Sequence, residues 1–154
     1  MAGKKKKSTT RSVTNLESLN QYTFFLDRAL ESYALRDALK RLGARVEMHR
    51  DYFDEGADDS DWLPDVAKRG WVILSTDQFN YLEREAIRNA GGRAFLLMQG
   101  NMTGDEQVAI IIGAMRRMLR ILKSNPPPFI AKIYRAKRVL ILSAEFRPYS
   151  SISR

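Results

Sequence analysis

Cysteine is absent from this chain of 154 residues, and histidine occurs once, at His49. The first absence removes disulfides, thiolate metal sites and cysteine nucleophiles together. The second leaves little room for a histidine-rich metal site or a histidine–carboxylate relay to a nucleophile. Long apolar runs are missing too. The longest, residues 108–115, has eight residues, against the roughly 20 that span a bilayer. The opening MAGKKKKSTTRS is basic but has no apolar stretch behind it, unlike a secretory signal. The expected compartment is therefore cytoplasmic. Nor is there a glycine-rich phosphate loop. Gly91-Gly92 follows a helical pattern, and the 100–104 segment lacks the Lys-Ser/Thr pair of a nucleotide loop.

What is present suits a folded domain: 44% apolar and 29% charged residues. The length fits one domain of roughly 100–150 residues with a tail. The formal net charge is +8, from 26 Lys and Arg against 18 Asp and Glu. Its distribution matters more than its size. Residues 1–20 carry +4, residues 21–115 carry −5, and residues 116–154 carry +9. A protein that only coats nucleic acid has no use for an acidic middle.

The pattern along the chain predicts strands alternating with helices. Residues 1–20 lack apolar periodicity, and their run of four lysines reads as a flexible basic arm. Residues 22–26 are a continuous aromatic and apolar run, suited to a strand buried on both faces. Leu30, Ala34, Leu35, Ala38, Leu39 and Leu42 recur at helical spacing, with Gly43 as the stop. A strand is expected over 44–49 and a loop over 51–60. A helix from Asp59 or Ser60 to about Lys68 follows, with Pro64 placed in its first turn. Residues 71–74 form the third strand, and Leu82, Ala86 and Ala90 mark the next helix. A fourth strand is expected over 93–98, then a turn over 100–104. The long helix from Asp105 puts Val108, Ile111, Ile112, Met115, Leu119 and Leu122 on one face. Two short strands close the chain at 129–134 and 138–142. This alternation predicts an α/β fold, a mostly parallel sheet covered on both faces. Ligands in such sheets bind beyond the carboxyl ends of the strands, where the strand order reverses.

Two strands end in aspartate, Asp27 after FFL and Asp77 after ILST. Between them lie Asp54, Glu55, Asp58, Asp59, Asp61 and Asp65, with Asp59 and Asp61 at a helix start. If the strands of Asp27 and Asp77 are neighbours, their carboxylates meet at one sheet edge. Crowded carboxylates resist ionising unless a cation neutralises them. With no Cys and one His, such a set favours Mg²⁺ or Mn²⁺. A metal of this kind activates water and stabilises charge on a phosphodiester. The competing explanation is plain: a strand-end aspartate also caps the next helix, and an acidic run also makes a solvated loop.

The segments FFLDRAL, LRDALKRLGARVEMH, FDEGADDSDWLPDVAKRGWVILSTDQ and EAIRNAGGRAFLL together resemble PIN-like domains, and among them the VapC-type toxins. The resemblance covers about residues 22–100, with weaker similarity through the long helix and the PPPF segment. It implies a three-layer α/β/α fold spanning 21–154, with a core at 22–100 and basic helix and strands at 103–148. It also implies RNA cleavage by clustered acids holding Mg²⁺ or Mn²⁺. Carried over by motif, the acids are Asp27, Asp59 and Asp77, with Asp61 close behind Asp59, and Ser75 positions phosphate or the metal's water. Larger relatives carry a further glutamate in an added helical segment. Here only Asp51, Asp54 or Glu55 are at hand to replace it. The implied partners are an RNA substrate and a cognate antitoxin, and a homodimer is compatible with the pattern.

Other residues have two readings each. Arg28 either holds a carboxylate or phosphate or lies on the surface, and His49 is either structural or catalytic. Trp62 and Trp71 read as packing rather than base-stacking platforms. Met115 and Met118 hint at a partner-facing surface. The basic C-terminal third serves as an RNA track, a docking surface for an acidic partner, or dispersed surface charge. A phosphatase of the HAD type needs a second aspartate at position 29, which is Ala29. The acids together with the resemblance favour a metal-dependent endoribonuclease, and the resemblance implies a toxin of a toxin–antitoxin pair. The alternatives are a PIN-like module that binds RNA or protein without cleaving, and a nuclease acting on DNA.

Overall fold

The first strand, β1 (Thr23–Leu26), is buried on both faces because none of its last three residues is polar. The computed structural model describes residues 16–98 and 102–142. After a short 3₁₀ turn, Ser32 caps helix α1 (Tyr33–Arg41) by accepting from Leu35 N–H. Gly43, at φ 107, turns the chain into β2 (Arg45–Met48), a backbone angle that suits glycine. A 3₁₀ turn at His49–Asp51 leads to α2 (Asp59–Lys68) and β3 (Val72–Ser75). Then come α3 (Tyr81–Asn89), β4 (Arg93–Leu97) and the long α4 (Gly104–Ser124). A hairpin of β5 (Phe129–Ile133) and β6 (Val139–Ile141) follows.

The sheet order is β2-β1-β3-β4-β5-β6, parallel throughout except for β6. Successive strand residues point to opposite faces and so build two cores. Phe24, Leu26, Val72, Leu74, Phe95 and Leu97 meet α1 and α4. Phe25, Ile73, Ala94, Leu96 and Ile130 meet α2 and α3. This is a three-layer α/β/α architecture. β1 lies between β2 and β3, so the chain leaves β1 first to one side and then returns to the other. The reversal opens a crevice at the carboxyl ends of β1 and β3. The strands that end at Asp27 and Asp77 are neighbours: Phe24 to Leu26 pair directly with Val72 to Leu74.

The structure departs from the sequence pattern at several places. The arm was expected to reach residue 20, yet Leu16 and Leu19 are buried in the core against α1 and α4. Residues 1–15, the 100–101 start of the expected turn and the 143–148 end of the expected basic C-terminal region lie outside the described residues. Pro64 sits in the second turn of α2, because the helix starts at Asp59. Leu82 is 75% exposed, and α3 packs through Ile87 instead. The Asn80–Glu83 capping box starts this helix and thereby sets which face is inward. Met115 and Met118 are wholly buried, so neither offers a surface to a partner. Among the described residues no helix is long and apolar enough to cross a membrane.

Candidate metal centre

Asp27 is the first residue beyond β1, and its N–H bonds Leu74 C=O, prolonging the β1–β3 ladder. Its carboxylate is buried and both oxygens are engaged. Oδ1 accepts from Arg28 N–H at 2.7 Å, and Oδ2 accepts from Ser75 Oγ–H at 2.7 Å. Asp27 thus also caps the 3₁₀ turn after β1, as the simpler reading required. Burial pushes its pKa up, against the pull of the Ser75 and Arg28 hydrogen bonds. Ser75, the last residue of β3, is fully buried and accepts from Asp77 N–H at 2.9 Å. Its hydroxyl is committed to Asp27 and to the Asp77 backbone. It holds the Asp27 carboxylate in place.

Asp77 is exposed, and its Oδ1 accepts from Phe79 N–H at 2.9 Å. That turn holds buried Phe79 at φ 54, a left-handed conformation uncommon for an aromatic residue. Arg84 donates to the carbonyls of Gln78 and Phe79 and pins the same loop. Asp59 opens α2, where Asp58 occupies the N-cap position. Trp62 Nε1–H donates to its Oδ1 at 3.0 Å. Glu83 stands in the first turn of α3, its Oε1 accepting from Asn80 N–H at 2.8 Å.

Asp59, Asp77 and Glu83 each offer a carboxylate oxygen, all within 4.8 Å of one another. Unit charges ~5 Å apart repel by about 3 kcal/mol at an effective dielectric of ~20. Part of the strain is relieved by protonation. Burial, a hydrogen bond shared with Asp77 and the charges of Asp27, Asp77 and Glu83 push the Asp59 carboxyl up to about 7. An all-oxygen carboxylate set under mutual repulsion fits a hard divalent cation such as Mg²⁺ or Mn²⁺. The residues present fit that group.

The structure thus brings Asp59 and Asp77 together and sets Asp27 beside them, within electrostatic reach of both. Asp61 is exposed on the first turn of α2 and outside the cluster. Residues two apart on a helix point about 200° apart, so Asp59 and Asp61 cannot share one point. Asp54 and Glu55 are also outside it. Glu83 was missed because Asn-x-x-Glu before a helix already has an ordinary explanation as a capping box. The available signal was its place in the first turn after the strand-end acid Asp77, at the same sheet edge.

His49 is buried among Phe25, Phe53 and Trp62. Burial lowers its pKa, so its ring is neutral near neutral pH. Trp62 is fully buried, while Trp71 stacks on Phe25 and carries the Arg69 guanidinium 4.9 Å above its ring. No curated protein and no solved structure matches the chain. A family model described as a PIN like domain matches residues 22–99, from the residue before β1 through β4, a span that includes Asp27 and the three clustered acids. The chain belongs to the PIN-like domain family.

Proposed function

We propose that this protein is an endoribonuclease that uses Mg²⁺ or Mn²⁺ held by Asp59, Asp77 and Glu83 beside Asp27. The supporting observation is the convergence of three carboxylates within 4.8 Å at the β1/β3 reversal. The family adds weight, since PIN-like domains are typically nucleases. When bound, the metal would activate water and stabilise charge on a phosphodiester. The chain's own groups prepare the site. Ser75 fixes the Asp27 carboxylate, Arg84 holds the Asp77 loop, and the capping box fixes Glu83. RNA rather than DNA is the substrate on the resemblance to VapC-type toxins, and the same resemblance makes the protein a toxin held by a cognate antitoxin. The basic half of α4, turned away from the acids, suits such a partner better than a substrate track.

The test is cleavage of RNA and of matched DNA in Mn²⁺ and in EDTA, by wild type and Asp27→Asn. RNA cleavage that vanishes in EDTA and in the variant supports the reading. Equal cleavage in EDTA contradicts it. One observation favours the alternative of a PIN-like module that binds without cutting. Asp27, a ligand by the resemblance, is not one of the three acids whose oxygens converge, and burial favours its neutral carboxyl. RNA binding that survives EDTA, with no cleavage in any metal, would select it.

A further inference from the structure

Beside the carboxylate cluster lies a second cleft. It holds about 590 Å³ and is lined by His49, Phe53, Asp54, Glu55 and Arg28, with the Glu31–Arg50 pair at its wall. Arg28 also lines the cleft of about 500 Å³ that contains Asp59 and Glu83. A molecule filling the first cleft therefore lies next to the carboxylates. The capacity is that of a small-molecule pocket, commonly about 300–1,000 Å³.

His49 is the unusual lining residue. It is 0% exposed, yet neither Nδ1 nor Nε2 has a hydrogen-bond partner among the described residues. Buried polar atoms in folded proteins are nearly always paired, so an imidazole with neither nitrogen paired leaves a donor and an acceptor for a group entering from the cleft. As a neutral ring it offers one donor and one acceptor.

The charges decide what kind of partner. Arg50 is tied to Glu31, in an ion pair at 3.5 Å and through its own backbone N–H. What remains is Arg28 with Asp54 and Glu55. The cleft as a whole has more carboxylates than guanidinium groups, so it disfavours phosphate and suits a neutral, polar, flat group. Donor-only Arg28 matches adjacent acceptors, and acceptor-only Asp54 and Glu55 match adjacent N–H groups. Guanine carries both sets, O6 and N7 on one edge and N1–H and N2–H₂ on another. Phe53 supplies the aromatic wall that single-stranded bases use.

The geometry points to a base pocket: the His49–Phe53 cleft receives an unpaired guanine of the RNA next to the scissile position. Its biological role rests on the ribonuclease reading, but its binding does not. The test is therefore made without metal, in EDTA, on the full chain, with the uncharged nucleosides guanosine, adenosine, cytidine and uridine. His49 is the single histidine, so its ring nitrogen resonances report occupancy without assignment ambiguity. Guanosine should shift them saturably, with the other three requiring roughly tenfold higher concentration or more. Combining Asp54→Asn with Glu55→Gln, both exposed positions, should weaken guanosine by roughly tenfold while leaving the fold intact. No shift with any nucleoside, an equal response to all four, a preference for another base, or no effect of the double substitution would overturn the pocket. Guanosine binding by a protein that never cleaves RNA would refute the ribonuclease reading and leave the pocket standing.

Discussion

Asp59 holds its proton to about pH 7 in the folded chain, but gives it up near the ordinary 3.8 when unfolded. Between these values the folded state binds more protons than the unfolded one. Metal-free stability should therefore fall as pH rises from about 4 to about 7 and level off above. Denaturation in EDTA across this range checks it, and Asp59→Asn should make the slope shallower. Asp27 acts in the same direction, so some slope remains. Glu83→Gln separates charge from structure, because glutamine keeps the acceptor for Asn80 N–H. It should leave thermal stability nearly unchanged and lower Mn²⁺ affinity by roughly tenfold or more, readable by calorimetry. Ser75→Ala strips Asp27 Oδ2 of its donor and Asp77 N–H of its acceptor. A loss of about 1–3 kcal/mol in chemical denaturation is expected. Asp27 and Asp77 were legible in sequence because each ends an apolar run at which a strand must stop. Glu83 was not, and Asp61 was grouped with Asp59 because closeness in sequence hides the rotation of a helix.

At the level of elements, the strands were easier to read than the helix faces. Phe24-Phe25-Leu26 and Val72-Ile73-Leu74 carry no polar residue, and such runs suit only a sheet covered on both sides. The helices defeated simple periodicity wherever an end signal shifted the frame. Leu82 looked like a core position, but the capping box at Asn80 sends it outward and Ile87 inward. Met118 is buried because α4 spans the sheet face and uses Ala114, Met115 and Met118 together. One tight contact ties α2, α3 and β4. A Cβ on Gly92 would meet Ala67 Cβ at 2.7 Å and Ile87 Cγ2 at 3.1 Å. Gly92→Ala should cost about 1–3 kcal/mol in urea unfolding. Unchanged stability would show that the packing there is looser than the structure has it.

Across the whole molecule, the charge division takes a spatial form. The acids gather at the carboxyl edge of the sheet, where α2 and α3 begin. α4 begins at that edge too and runs back to the other, so Arg120 lies about 24 Å along its axis from Gly104. A shallow basic cleft of about 310 Å³, lined in part by Leu16, Arg120 and Lys123, marks the far end. Replacing Arg120 and Lys123 by glutamate should leave cleavage of a short oligonucleotide unchanged. A large loss of rate would show that substrate reaches across the molecule. The central claim, a divalent metal in the carboxylate cluster, has a direct measurement: Mn²⁺ titration of the full chain followed by electron paramagnetic resonance. Wild type should bind Mn²⁺ saturably, and Asp59→Asn combined with Asp77→Asn should abolish that binding. Equal binding by the double variant, or none by wild type at millimolar Mn²⁺, would contradict it.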